Sequence, residues 1–260
     1  MGDKIFKTQL IITLDRGVLS SYDVYMYITE RQKTILSSIV DEYINSAQPV
    51  SSKFLEKKYD FGICPASIRI EMQKLTDAGF LYQPHTSAGR VPTDKGYRFF
   101  VDDLLEKDSF NKEDLFKLNN LLKEEIKDSI KFVQLLAKDL SLFSSNLTFA
   151  YLPQERLFWK EGWEKIIQEP EFKEEKFSSH FTELLKILEK EIEDFDIDSK
   201  VEVFIGRENP FSRAREFSIV ASKYQLPKED GILAIIGPTR MNYKKNIGSL
   251  HSLARMLDNL

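Results

Sequence analysis

Residues 65–98, PASIRIEMQKLTDAGFLYQPHTSAGRVPTDKGYR, decide how the amino-terminal part of this chain is read. Pro65 suits the first position of a helix, where its missing N–H has no intrahelical partner to lose and its fixed φ is already helical. Ile68, Met72 and Leu75 then recur at i, i+4 and i+7 and make one apolar face. With about 100° per residue, Ala66, Ser67, Ile70, Gln73 and Lys74 fall on the opposite side, with Arg69 at its flank. A face of small, apolar and polar side chains beside cations suits a major groove, where Arg donates to guanine and an apolar group meets a thymine methyl. It equally describes an ordinary solvated helix face, so this helix alone does not decide the matter. Gly79 predicts the helix stop, Phe80, Leu81 and Tyr82 begin a strand, and residues 83–92 predict a hairpin with Gly89 near its tip. His85, Thr86, Ser87 and Gly89 would let backbone amides approach phosphates, and Arg90 would bind phosphate or enter the minor groove. Read singly, Arg90 is a solvated loop cation and His85 a turn residue.

Upstream, Thr29 followed by Gln32 has capping-box spacing, and Ile35, Leu36, Ile39, Val40, Tyr43 and Ile44 form the apolar stripe of a first helix ending near Asn45. Ser51 predicts the cap of a second helix reaching about Lys58, with Val50 and Leu55 spaced as a hydrophobic staple. Ser51 and Ser52 join the candidate DNA-contacting set. Three helices followed by a hairpin read as a winged helix-turn-helix over residues 29–105, and residues 1–28 as an amino-terminal extension.

Downstream, Thr93 predicts the cap of a helix carrying Tyr97, Phe100, Val101, Leu104 and Leu105. Beyond it Leu115, Leu118, Leu122, Ile126, Ile130, Val133, Leu136 and Leu140 recur at steps of three or four. Residues 106–145 therefore read as a long helical connector whose apolar face packs either on its own carboxy-terminal module or across a dimer. Residues 146–260 alternate strand-like runs (147–152, 201–205, 231–236) with helical ones (178–194, 244–260), which is an α+β pattern. Gly206 and Gly237 read as turn glycines, Arg240 and Tyr243 as a local packing or hydrogen-bonding pair, and Trp159 and Trp163 as packing residues.

Composition narrows the function. The 260 residues are 42% hydrophobic and 30% charged, enough for both a core and a solvated surface. Residues 1–100 hold 13 Lys and Arg against 11 Asp and Glu; the remainder holds 24 against 30, a mild asymmetry. An acidic chain still binds nucleic acid through a local basic face, because phosphate attraction is screened beyond about 10 Å. Cys64 stands alone, and His85, His180 and His251 are far apart in sequence, so neither a disulfide nor a zinc site is expected. The apolar run from Leu10 is broken at Asp15 and Arg16, too short for a membrane span, which makes a cytoplasmic location the expectation. No Gly-x-Ser-x-Gly elbow or phosphate-binding loop is present, so no catalytic, cofactor-binding or metal-ligating residue is assigned.

Two blocks carry a family resemblance. Residues 65–72 and 83–98 resemble the heat-inducible transcription repressor HrcA family, the second block being long and specific. Far downstream, Ile205-Gly206-Arg207-Glu208-Asn209 and Gly237-Pro238-Thr239-Arg240-Met241-Asn242-Tyr243 are similar to the same family's carboxy-terminal signatures, as is Glu169-Pro170-Glu171-Phe172 between them. The resemblance implies a carboxy-terminal domain related to the GAF fold, a homodimer on an inverted-repeat DNA operator, repression of chaperone genes released by heat, and maintenance of the active repressor by the GroEL chaperonin. The chain departs from the pattern at Ile70, where the family has Asn, and at Asn242, where Asp is usual. The stretch between Tyr151 and Gly162 is too short for the family's middle strands and inserted dimerisation subdomain, so the GAF-like domain is expected to be shortened. The competing readings are a winged-helix regulator whose carboxy-terminal module binds a small effector, and an enzyme built on that α+β module.

Overall fold

Thr29 closes the start of α1 (Glu30–Ser46) from both sides: its Oγ1 accepts from the Gln32 N–H at 3.2 Å while Gln32 Oε1 accepts from the Thr29 N–H at 3.0 Å. Two orphan donors are satisfied at once, which is why the helix begins where the spacing says it should. The computed structural model describes residues 6–9, 23–26, 28–105, 129–195, 197, 199–211, 215–225 and 230–257. These fall into two compact units, residues 1–100 and 101–260.

In the first unit, β1 (Phe6–Gln9) and β2 (Asp23–Met26) form an antiparallel ladder ahead of α1. α2 (Ser52–Lys58) is capped by Ser51, whose hydroxyl accepts from the Phe54 N–H at 3.1 Å, and α3 (Pro65–Asp77) opens on its proline. β3 (Leu81–Tyr82) and β4 (Val91–Pro92) pair antiparallel, and Thr93 caps α4 (Asp94–Phe99), which runs on as a π-helical turn, Phe100–Leu104. Ile35, Leu36, Ile39 and Val40 of α1, Leu55 of α2 and Ile68, Met72 and Leu75 of α3 are all buried, so the three apolar stripes meet in one core. Phe80 and Phe99 close it edge to face, 5.4 Å apart.

The second unit is an antiparallel five-stranded sheet in the order β6-β5-β9-β8-β7. The strands are β5 (Leu147–Leu152), β6 (Leu157–Glu161), β7 (Glu202–Ile205), β8 (Phe217–Gln225) and β9 (Asp230–Pro238). Alternation sorts its side chains. Leu147, Phe149 and Tyr151, Ile232, Ala234 and Ile236, and Phe217, Ile219 and Ala221 face one side, where they pack with Phe177, Phe181, Leu184, Leu185 and Leu188 of one long helix. The opposite side carries Ala150, Leu152, Val220, Leu233 and Ile235 and is covered by the helices before β5 and after β9. In chain order the helices are α5 (Ser129–Ser144), α6 (Trp163–Ile166), α7 (Glu175–Glu191) and α8 (Tyr243–Leu257), with α7 on the first side and α5 and α8 on the second. Helices and an antiparallel sheet segregated in this way make the chain α+β.

Several expectations change. Val133, Leu136 and Leu140 are buried and α5 packs on β5, so the described part of the connector belongs to the carboxy-terminal sheet and is no separate element. Ile130 is the exception at 37% exposure, and Leu115, Leu118, Leu122 and Ile126 lie outside the described residues. The short stretch after Tyr151 turns at residues 153–156 and returns as edge strand β6, pairing Leu152 with Leu157. Gly237 sits within β9, not in a turn: a Cβ there would stand 2.0 Å from Asn146 Oδ1, so the strand needs a residue without a side chain.

Candidate nucleic-acid interface

α3 shows two faces. Ile68, Met72 and Leu75 point into the core, while Ala66, Arg69, Ile70, Gln73 and Lys74 are exposed and Pro65 and Ser67 half-buried. Ile70 is 57% exposed, one turn beyond Ala66, so the two form a short apolar strip next to Arg69. Arg69 makes no hydrogen bond or ion pair among the described residues.

The other polar groups of this face are engaged. Lys74 Nζ is 2.9 Å from Glu71 Oε1, and Glu71 Oε2 accepts from Gln32 Nε2 at 2.8 Å, tying the cap of α1 to α3. Burial pushes the Glu71 carboxyl up, but the hydrogen bonds from Lys74 and Gln32 outweigh it and hold it below its ordinary value. Gln73 is held at both ends of its amide: Nε2 donates to Asp77 Oδ1 at 2.7 Å, and Oε1 accepts from Arg90 Nη2 at 2.7 Å.

The hairpin differs from its sequence reading in one informative respect. The turn closes with the Ala88 N–H on the His85 carbonyl at 2.9 Å, so Thr86 and Ser87 are the tip, both exposed, with His85 Nδ1 3.2 Å from Ser87 Oγ. Gly89 is not at the tip. A Cβ on it would lie 2.4 Å from the Val50 carbonyl, so the glycine allows a close backbone crossing. Arg90 beside it is 9% exposed, paired through its backbone to Val50 in both directions at 2.8 and 2.9 Å. The bridge turns Arg90 inward onto Gln73, which corrects the expectation of a solvated or phosphate-seeking cation.

Ser51 is exposed, its hydroxyl spent on the α2 cap, whereas Ser52 is buried and off the surface, since the first residue of a capped helix turns toward the core here. Lys53, Lys57 and Lys58 are exposed on α2. Val50, Gln83 and Glu71 were not legible as site residues. Gln83 Nε2 donates to the Thr86 and Ala88 carbonyls and braces the hairpin from within, a role that no local pattern announces.

In the second unit Arg240, 8% exposed, lies between two carboxylates, with Nε 2.5 Å from Glu171 Oε1 and Nη2 paired to Glu169. Burial would lower its pKa; the bonds to Glu171 and Glu169 outweigh this and raise it. The Tyr243 hydroxyl donates to the Thr239 carbonyl and stands 2.7 Å from Ser218 Oγ. These are packing and hydrogen-bonding roles. Among the described residues no group of three or more His, Cys, Asp or Glu is placed to hold a metal ion, and no described helix is long and apolar enough to cross a membrane.

The HrcA protein C terminal domain matches residues 102–247, more than half of the chain. A "Heat-inducible transcription repressor HrcA" from Thermodesulfovibrio yellowstonii is 29% identical in an alignment over 337 positions that takes in 88% of this chain and 97% of the relative. One from Caldanaerobacter subterraneus subsp. tengcongensis is also 29% identical, over 90% of this chain and 97% of its own length. Both alignments span more positions than this chain has residues, so the relatives carry segments with no counterpart here. A crystal structure described as that of a hypothetical protein superposes with a TM-score of 0.75 at 20% identity, covering 89% of this chain and 98% of that one, and shares the fold. The chain belongs to the HrcA family.

Proposed function

We propose that this chain is a transcriptional repressor of heat-shock chaperone genes that binds a double-stranded DNA operator. The observation that supports this best is the exposed outer face of α3, with Arg69 making no hydrogen bond or ion pair among the described residues beside the Ala66–Ile70 strip, next to a hairpin whose tip residues Thr86 and Ser87 are exposed. In this reading α1 to α3 and the β3–β4 hairpin are a winged helix-turn-helix. α3 enters the major groove, where Arg69 donates to a guanine edge. His85, Thr86 and Ser87 of the wing and Ser51, Lys53 and Lys57 at α2 lie toward the sugar–phosphate backbone.

The carboxy-terminal unit is read as a shortened GAF-like domain serving dimerisation and regulation. A homodimer then presents two heads to an inverted-repeat operator whose half-sites are one helical turn, about 34–36 Å, or a multiple of it apart. The regulator is non-enzymatic, works without a cofactor in the cytoplasm, and is kept competent by the GroEL chaperonin, so unfolded clients that occupy the chaperonin raise transcription.

Sequencing of duplexes retained by the full chain from a random-sequence library tests the reading. An inverted repeat bound by a dimer, as measured by light scattering, is expected; absence of any preferred duplex would overturn it. Adding chaperonin and nucleotide to mildly heated repressor should raise the fraction able to bind, measured by titration with excess operator.

A further inference from the structure

On the outer face of α3 the fold has already taken up most of the polar groups. The Gln73 carbonyl oxygen accepts from Arg90 and its amide nitrogen donates to Asp77, each at 2.7 Å. Lys74 is held by Glu71, which Gln32 anchors in turn. A side-chain amide reads adenine by using its oxygen and its nitrogen together. Gln73 cannot do so without releasing both partners, and releasing Arg90 would strand a buried guanidinium whose Nε has no hydrogen bond among the described residues. What remains available to bases is Arg69, the half-buried Ser67 hydroxyl 3.4 Å from Cys64 Sγ, and the apolar strip of Ala66 and Ile70.

We infer that Ile70 is a specificity-determining residue that packs, with Ala66, on the 5-methyl group of a thymine in each operator half-site. The inference rests on the repressor reading above. Ile70 lies in the second turn of α3, within the amino-terminal part of a recognition helix that meets base edges. Its side chain offers neither donor nor acceptor. Against the N7 and O6 of guanine or the amino group of cytosine it would strip water from a polar edge and return no hydrogen bond. In the major groove the thymine methyl is the one base feature that rewards it.

The test replaces each thymine of the best retained duplex in turn by uracil, which removes the 5-methyl group alone. Affinities are measured for the full wild-type chain and for Ile70→Ala, with thermal melting to confirm that the exposed substitution leaves the fold intact. At one thymine per half-site, loss of the methyl should weaken wild-type binding about fourfold, the worth of one buried methyl-sized group. The same replacement should leave Ile70→Ala unchanged, and Ile70→Asn should be equally indifferent to the methyl. Specific binding in which no thymine methyl is coupled to Ile70 overturns this inference alone. A chain that prefers no duplex overturns the repressor reading and the inference with it.

Discussion

Arg90 Nη2 donates to Gln73 Oε1 at 2.7 Å, so the base of the hairpin and the outer face of α3 are joined by one hydrogen bond between side chains 17 residues apart. The guanidinium is buried and pairs with an amide in place of a carboxylate. Its contribution is orientation: it holds the hairpin against α3 and fixes the exposed Gln73 amide in place.

Arg90→Met therefore should leave the fold within about 1 kcal/mol of wild type, because an apolar side chain of similar length replaces a cation that gains little from burial. DNA affinity should fall severalfold while the slope of log affinity against log salt stays the same. Titrations at several salt concentrations check this. A slope shallower by about one would instead place Arg90 on a phosphate.

Arg69→Ala is expected to act on discrimination. It should cost about 1–3 kcal/mol on the preferred duplex and much less on random duplex, the signature of a contact to a base edge. Equal loss on both DNAs in parallel titrations would assign Arg69 to the backbone.

Alongside the depressed carboxyl of Glu71, part of the acid sensitivity of the first unit should trace to Glu42. This buried carboxylate lies 2.6 Å from Lys58 Nζ and accepts from the Tyr59 hydroxyl at 2.5 Å. Burial pushes the carboxyl up, but these partners outweigh it and hold it below its ordinary value of 4.5. A depressed carboxylate pKa contributes stability that is present above 4.5 and is lost as pH falls through the lower, folded value. Denaturant unfolding followed from neutral pH down through the carboxylate range should show this loss. Glu42→Gln should be less stable at neutral pH and flatter toward acid; an unchanged acid slope would remove Glu42 from the account.

Asn246 on α8 is fully buried, and neither its amide nitrogen nor its amide oxygen has a hydrogen-bond partner among the described residues. Replacement by Leu, which keeps the branching of the side chain but has larger terminal groups, should stabilise the chain by about 1 kcal/mol, since the gain from removing two desolvated polar atoms exceeds the cost of the added volume. Thermal and denaturant melts measure the sign. Destabilisation by Leu together with destabilisation by the smaller Asn246→Ser would instead mean that the amide is satisfied, by a water or a small effector, in the folded chain.

The sequence by itself determined whatever depends on neighbours within one or two helical turns. The reciprocal cap at Thr29 and Gln32, the Ser51 cap, the Pro65 start and the i, i+4, i+7 stripe of Ile68, Met72 and Leu75 are local hydrogen-bond and periodicity effects, and they stand in the structure as spaced in the chain. The outer face of α3 follows from the same periodicity, and the HrcA words in both halves were legible because they are contiguous. Tertiary structure alone decided the rest. Arg90 turns inward because Val50, 40 residues earlier, pairs with its backbone, and Gly89 is needed because that crossing is close. β5 pairs with β9, far later in the chain, and this long-range ladder joins the local β5–β6 pairing to the local β7–β8–β9 pairings in the sheet order β6-β5-β9-β8-β7. The apolar residues of α5 are compatible with either a sheet or a second helix as partner, and a stripe of Val133, Leu136 and Leu140 does not name its partner. Only the sheet packed beneath it does, because hydrophobic burial is non-directional and is settled by whichever apolar surface the chain brings into contact.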